Sequence, residues 1–200
     1  MTRQRLTPDE RRTQLLTIGA QLFSERPYED VWIEEVAERA GVSRGLMYHY
    51  FSSKRDFFAA IVRVAVDRIL RDTEPDPALP VQDQITHGLD AYLTFVRENQ
   101  PSVRALNRGE LSADTEIRDM VDAELAEQQR RILVALGSGP GQDAVLEASI
   151  HGWIAFVRAV VVDWIETDAL TEDQVRDLCL RALNGLIGTG SIDTVDVGAS

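Results

Sequence analysis

The sequence has few of the features that mark secreted or membrane proteins. Its single cysteine, Cys179, excludes an internal disulfide framework and is typical of a reducing compartment. The polar residues 1–10 lack the apolar segment of a signal peptide. The most apolar run, residues 150–165, is interrupted by polar and charged side chains and is shorter than the roughly 20 residues that span a bilayer. We therefore expect a cytoplasmic protein with no membrane partner.

The sequence also lacks the motifs of common enzyme classes. It contains no nucleophile elbow and no glycine-rich phosphate loop. Its histidines, His49, His87 and His151, do not have the spacing of metal ligands. We therefore expect no catalytic residues, no metal and no cofactor, and the sequence indicates a protein that is not an enzyme.

Hydrophobic periodicity predicts an all-α chain of about nine helices, because no stretch alternates as a strand does. A capping box at residues 7–10 opens the first helix, which ends before Pro27. The second helix stops at Gly41, where a left-handed residue is favoured. Ser43 then caps a short third helix, and residues 52–56 open a fourth.

Three prolines in residues 74–80 interrupt the helical pattern and mark a boundary. We expect a first domain at 1–73, with helix four as its connector, and a second domain at 80–188. A short helix near Val103 to Asn107 belongs to the second domain. Residues 189–200 are small, polar and acidic, which predicts a flexible tail.

The second and third helices are joined by so short a turn that they form a helix-turn-helix, a unit that can place its second helix in the major groove of DNA. Met47 and Phe51, four residues apart, are predicted to face inward. The outer face of the third helix is then polar and aromatic. The sequence therefore predicts a DNA-binding head.

The net charge of −12 is distributed unevenly along the chain. Residues 1–65 contain ten basic and nine acidic side chains, so the remainder carries a net charge of −13. An acidic body behind a near-neutral head would direct DNA to the head alone. Solubility is an equally good explanation of the acidic surface, and both remain open.

The last two helices, at about 142–166 and 171–187, are expected to form a homodimer. The first is apolar almost all round, and the second carries a regular apolar stripe. One small domain cannot bury both, so pairing with their twofold copies as a four-helix bundle is expected. The alternative is that both helices are only internal core.

Several motifs of the head occur together in a known family. They are residues 18–23 (Ile-Gly-Ala-Gln-Leu-Phe), 36–37 (Val-Ala), 40–43 (Ala-Gly-Val-Ser) and above all 45–54 (Gly-Leu-Met-Tyr-His-Tyr-Phe-Ser-Ser-Lys). With them, the first seventy residues resemble the N-terminal domain of the TetR family of bacterial transcriptional regulators. The resemblance implies a ligand-responsive repressor that binds palindromic double-stranded operator DNA as a homodimer and is released by a small hydrophobic effector. An activator of the same fold is an alternative.

The sequence departs from the family pattern at two places. Val31 and Trp32 stand where the family usually begins its second helix with threonine or serine, so a phosphate contact from that cap is not assumed. Leu46 replaces a small polar residue, and it could either touch a thymine methyl group or tolerate exposure.

The expected DNA-binding residues lie on the third helix and just after it. Ser43 can hold a phosphate as well as cap its helix, and Arg44 can pair with a phosphate or a guanine, or be a solvated surface residue. Gly45 permits close approach, whereas Tyr50 could be half-buried against the first helix. The complete set is Ser43, Arg44, Gly45, Leu46, Tyr48, His49, Tyr50 and Lys54.

The resemblance also implies an effector pocket enclosed by helices five to eight. Such pockets are mostly apolar and contain a few placed polar groups. The candidate lining residues, most of which could equally be plain core, are Tyr92, Phe95, Arg104, Asn107, Met120, His151, Trp153 and Phe156. A dimeric helical small-molecule-binding protein without DNA function would explain residues 80–190 but would leave the head unexplained.

Overall fold

The computed structural model describes residues 6–100, 103, 114–139 and 141–188. Within those ranges the chain consists of eight α-helices and one 3₁₀ turn, and it contains no strand. The helices are α1 (Pro8–Glu25), α2 (Ile33–Ala40), α3 (Arg44–Tyr50), α4 (Lys54–Asp72), α5 (Val81–Glu98), α6 (Thr115–Ala135), α7 (Ala144–Thr167) and α8 (Glu172–Ile187), and the 3₁₀ turn is Tyr28–Asp30. The predicted all-α class is confirmed, while Asn107 and residues 189–200 lie outside the described part.

Local capping residues determine where the helices begin and end. Thr7 and Glu10 form the predicted capping box of α1, with the Thr7 backbone N–H donating to the Glu10 carboxylate at 2.7 Å. Gly41 takes the left-handed conformation, φ 66°, that ends α2. Ser43 caps α3, and Thr171 forms a second capping box at α8. The predictions made for Thr7, Gly41 and Ser43 are therefore confirmed.

The described chain divides into two compact units. The first falls within residues 1–67 and 99–120, and the second within 68–98 and 121–200. Helices α4 and α6 contribute residues to both units. The domain limits expected from the prolines, 1–73 and 80–188, remain a prediction.

The core of the first unit is an aromatic and aliphatic cluster around Phe57. Leu15, Leu22, Met47 and Phe57 are fully buried. Phe23 packs edge-on against Phe58, with ring centroids 4.8 Å apart. Met47 of α3 belongs to this core, so its burial helps to hold the helix against the unit.

The second unit is built around α5, α7 and α8, which contact one another pairwise. Leu93, Ile150 and Leu183, one from each helix, are fully buried. The Trp153 indole N–H donates to the Cys179 carbonyl oxygen at 2.8 Å, which joins α7 to α8 by a buried hydrogen bond. The thiol of Cys179 is itself buried.

Helix α7, predicted at about 142–166, is observed at Ala144–Thr167 and is largely exposed within the chain. It spans 24 residues, and only 22% of its most apolar window is buried within the chain. Its length and its mean hydropathy of 1.6 would allow it to cross a membrane, which is weak evidence because core helices meet the same criteria. The apolar run 150–165 is itself shorter than a bilayer span, and only the whole helix reaches that length.

Gly19 of α1 is predicted to be essential for packing. A methyl group at this position would lie 2.2 Å from Cζ of Phe57 and 2.9 Å from Cδ1 of Ile61, closer than van der Waals contact. Because the core must shift to admit it, Gly19→Ala should destabilise the fold by about 1–3 kcal/mol. Urea unfolding followed by circular dichroism measures this change.

Gly88→Ala is the matched control, since Gly88 is also helical but its nearest neighbour, the Thr73 carbonyl oxygen, is 4.0 Å from the added carbon. It should stabilise α5 by about 0.5–1 kcal/mol, as alanine does in an unobstructed helix. A Gly19→Ala variant as stable as the wild type would contradict the packing described for Phe57.

Candidate nucleic-acid interface

Helix α3 is held in the head by its two inward residues. Met47 is fully buried and Phe51, which ends the helix, is 4% exposed. The Ser43 side chain accepts a hydrogen bond from the Leu46 backbone N–H at 3.1 Å. The inward orientation predicted for Met47 and Phe51 is therefore confirmed, and the opposite side of α3 faces solvent.

The outward face of α3 has the composition that the sequence predicted. Leu46 is 37% and Tyr48 39% exposed, large values for such side chains. Tyr50 is half-buried, and its ring lies edge-on to that of His49 with centroids 5.8 Å apart. The residues that the structure describes as exposed here are Ser43, Arg44, Gly45, Leu46, Tyr48 and His49. Together they form a continuous polar and aromatic surface.

Arg44 has two partners on this surface. Its Nη2 lies 2.9 Å from a carboxylate oxygen of Glu34, in the first turn of α2. Its guanidinium also lies over the Tyr48 ring, 5.5 Å from the centroid, in a cation–π arrangement. Glu34 was missed from the sequence, because the pairing depends on how α2 and α3 approach each other.

Lys54 is the only lysine in the sequence and the first residue of α4. Its Nζ donates to the Glu29 carbonyl oxygen at 3.1 Å and lies 4.5 Å from the centroid of the Tyr28 ring. Partial burial lowers the pKa of its ammonium group. An ammonium has three N–H donors, so the bond to Glu29 positions the group without using all of them.

Val31 and Trp32 have different surroundings in the structure. Val31 is 1% exposed and belongs to the core, whereas Trp32 is 67% exposed. Trp32 is the N-cap of α2, and its side chain makes no capping hydrogen bond. The departure from a threonine or serine cap therefore removes the side-chain cap and leaves an indole on the surface.

Arg55 is tied to the beginning of α6 within the first unit. Its Nε and Nη2 donate to the two carboxylate oxygens of Asp114 at 2.6 and 2.8 Å. Asp114 also accepts hydrogen bonds from the backbone N–H groups of Glu116 and Ile117 in the first turn of α6. The hydrogen bonds from Arg55 lower the pKa of the Asp114 carboxyl.

The candidate effector residues have very different environments. Phe95 and Trp153 are buried, Tyr92, Met120 and Phe156 are half-buried, and His151 is exposed on the outer face of α7. Arg104 and Asn107 lie outside the described residues. Burial raises the pKa of the Tyr92 phenol to about 12, although the residue as a whole is only half-buried.

Glu124 of α6, which the sequence reading did not identify, is a buried acid of the second unit. It is 8% exposed, and burial raises the pKa of its carboxyl. A hydrogen bond with Gln128 and the charge of Arg158 partly offset this increase by lowering the pKa of the carboxyl. The charges of Arg158 and Glu124 also act on the pKa of Tyr92 within the second unit, Arg158 lowering it and Glu124 raising it.

Two family descriptions match most of the chain. Residues 15–61 match bacterial regulatory proteins of the tetR family, and residues 81–185 match the tetracyclin repressor-like C-terminal domain. A TetR-family transcriptional regulator from Streptomyces coelicolor has a similar structure, with a TM-score of 0.80 and 27% sequence identity. That similarity covers 90% of this chain and 80% of the other.

Two relatives of described activity are similar over shorter stretches. The transcriptional activator FasR of Mycolicibacterium smegmatis is 27% identical over 124 residues, which are 58% of this chain and 54% of FasR. The transcriptional repressor KstR2 of Rhodococcus jostii is 36% identical over 85 residues, 42% of this chain and 38% of KstR2. The matches therefore span about half of these relatives or less.

The family matches include both the helix-turn-helix and the helical body. They favour a DNA-binding regulator over the alternative of a small-molecule-binding protein that has no DNA function. The chain belongs to the TetR family and is a non-enzymatic, DNA-binding regulator of transcription.

Proposed function

We propose that the protein is a cytoplasmic, ligand-responsive repressor that binds a palindromic operator as a homodimer and is released by a small hydrophobic effector. The exposed face of α3 carries this proposal, because Met47 and Phe51 hold the opposite face in the core. A helix presented in this way can enter the major groove. The proposed DNA contacts are Ser43, Arg44, Gly45, Leu46, Tyr48, His49, Tyr50 and Lys54.

The exposed apolar face of α7 supports a homodimer. One face of this helix is buried and carries Ile150, Val157 and Val161. The exposed face carries small residues. Those small residues, spaced three or four apart along the helix, are Ala148, Gly152, Ala155 and Ala159. A twofold copy can bring its own α7 close to such a surface and bury it, and the exposed Leu186 of α8 extends the apolar area.

Three polar side chains of the second unit, Tyr92, Glu124 and Arg158, support an effector site in the body. Buried polar groups in an apolar surrounding are the general form of a small-molecule site, where they orient the ligand. Phe95 and Trp153, buried in the same unit, supply apolar surface. We assign the effector's polar end to Tyr92 and Glu124, and we leave the exposed His151 out of the site.

Activation of transcription is the second candidate function. FasR, 27% identical over 124 residues, is an activator, whereas KstR2 is a repressor. The two functions can be distinguished by measuring transcription from a promoter that contains an operator selected from a random pool of DNA. Repression predicts that transcript falls when the protein is added, and activation predicts that it rises.

The two cations of the interface should have different effects on DNA binding. Lys54→Ala should weaken binding to every sequence alike and reduce the slope of log K against log salt by about 0.9, the value for one phosphate contact. Arg44→Ala should cost about 1–3 kcal/mol and alter the base preference, as loss of a guanine contact does. Both are measured on duplexes selected from a random pool.

Contact of Lys54 with DNA can also be measured directly by chemical labelling, because Lys54 is the only lysine in the sequence. Operator DNA should slow acylation of Lys54 by an amine-reactive reagent, with the N-terminal amine as the internal reference. Unchanged DNA binding by both variants, with no protection of Lys54, would rule out the proposed interface.

The dimer is tested by placing a charge on the exposed face of α7. Ala155→Glu should raise the dimer dissociation constant at least tenfold, because an unpaired carboxylate buried at the interface costs several kcal/mol. Sedimentation velocity measures the change. Val134→Glu, on the exposed side of α6, should leave the dimer intact. A fully dimeric Ala155→Glu variant would place the interface elsewhere.

The effector site is tested by removing one hydroxyl group. Tyr92→Phe should leave operator affinity unchanged and raise the effector concentration for half-release about tenfold, the effect of one lost hydrogen bond. Release is measured by fluorescence anisotropy of labelled operator with a panel of hydrophobic metabolites. Thr86→Val is the control, since its hydroxyl already donates to the Gln82 carbonyl oxygen. Equal effector sensitivity of Tyr92→Phe and wild type would refute this site.

A further inference from the structure

Glu34 of α2 and Arg44 of α3 form an exposed ion pair within the helix-turn-helix. Their charged atoms are 2.9 Å apart, and the side chains are 41% and 69% exposed. Tyr48 lies on the guanidinium as a second partner, one turn further along α3. Arg44 is therefore held by two neighbours before any DNA arrives.

We propose that Glu34 is a positioning residue that sets DNA specificity by acting through Arg44. The inference rests on the proposed operator binding and adds to it. Glu34 directs Arg44 toward the neutral acceptor atoms of a guanine and away from phosphates. It thereby lowers binding to unrelated DNA more than binding to the operator.

The exposure of the pair is the first reason for this assignment. Ion pairs between solvent-exposed side chains contribute little to stability and are easily exchanged. The Glu34–Arg44 pair can therefore reorganise on the DNA without loss of the fold. Its partner Tyr48 keeps the guanidinium near the same place, which reduces the number of rotamers that must be lost on binding.

The charge of Glu34 is the second reason. A phosphate that contacts Arg44 must come within several ångströms of the Glu34 carboxylate, since Arg44 touches both. At about 6 Å, repulsion between two unit charges weakens binding roughly threefold even at the dielectric of bulk water. Guanine O6 and N7 carry no net charge, and two N–H groups of an arginine can bind them together. The Glu34 carboxylate therefore weakens a phosphate contact of Arg44 more than it weakens a guanine contact.

The other acids of α2 are differently placed. Glu35 pairs with Arg26 and Arg39, and these bonds lower the pKa of its carboxyl. Glu38 is exposed on the same helix and is not among the ion-pair partners of Arg44 in the described part of the chain. Glu38→Gln therefore removes the same charge as Glu34→Gln without changing the partner of Arg44.

The test compares operator DNA, selected from a random pool, with an unrelated duplex of equal length. Glu34→Gln should bind the unrelated duplex about three- to tenfold more tightly and the operator by a smaller factor, because the phosphate contact is no longer penalised. The salt slope on unrelated DNA should steepen by about 0.9, one additional phosphate contact. Affinities are measured by fluorescence anisotropy at several salt concentrations.

Three further variants make the outcome decisive. Glu38→Gln should change both affinities by the same factor and leave their ratio unaltered. Glu34→Ala should reproduce Glu34→Gln, and thermal unfolding should show that both fold as the wild type does. In an Arg44→Ala background, Glu34→Gln should no longer alter the ratio.

The behaviour of the wild type distinguishes failure of the proposed role of Glu34 from failure of the proposed function. A wild type that discriminates the operator, together with a Glu34→Gln variant that behaves like Glu38→Gln, overturns the role of Glu34 alone. A persisting effect of Glu34→Gln without Arg44 also overturns it. A wild type that does not distinguish the two duplexes overturns the proposed function itself.

Discussion

The burial of Met47 and Phe51 is the constraint on which the DNA-binding surface depends. These two side chains occupy one side of a seven-residue helix, so they determine which residues remain outside. Phe51 packs on Phe57, which in turn fills the space above Gly19. A short helix is marginal by itself, and its orientation comes from this packing. The side chains proposed to contact DNA are therefore positioned by residues buried in the core.

The helix ends and the turn of the head could be predicted from the sequence, because they depend on residues close together in the chain. Gly41 and Ser43 define the turn because a left-handed end and a hydroxyl cap act within a few residues. Contacts across the chain could not be predicted in this way. Glu34 meets Arg44, and the Glu29 carbonyl meets Lys54, only because separate helices approach each other. Periodicity identifies faces, but it does not identify partners.

The same limit explains what the sequence left open in the body. The apolar character of α7 was evident, yet only the structure distinguishes the face against α5 and α8 from the exposed one. Glu124 gives no sequence signal, because a glutamate in an acidic helix is ordinarily solvated. Its burial, and the effect of that burial on its pKa, become visible only in the folded second unit.

Some arginines of the head are held in structural ion pairs, whereas Arg44 is available for DNA. Arg55 is held by both oxygens of Asp114, and Arg26 and Arg39 share Glu35, so these cations are committed to structure. The pair of Arg44 with Glu34 is more exposed than these, and its partners can exchange. A head with nearly balanced charge attracts DNA weakly by itself. Binding must then come from a few well-placed contacts, which makes the orientation of Arg44 more important than the total number of cations.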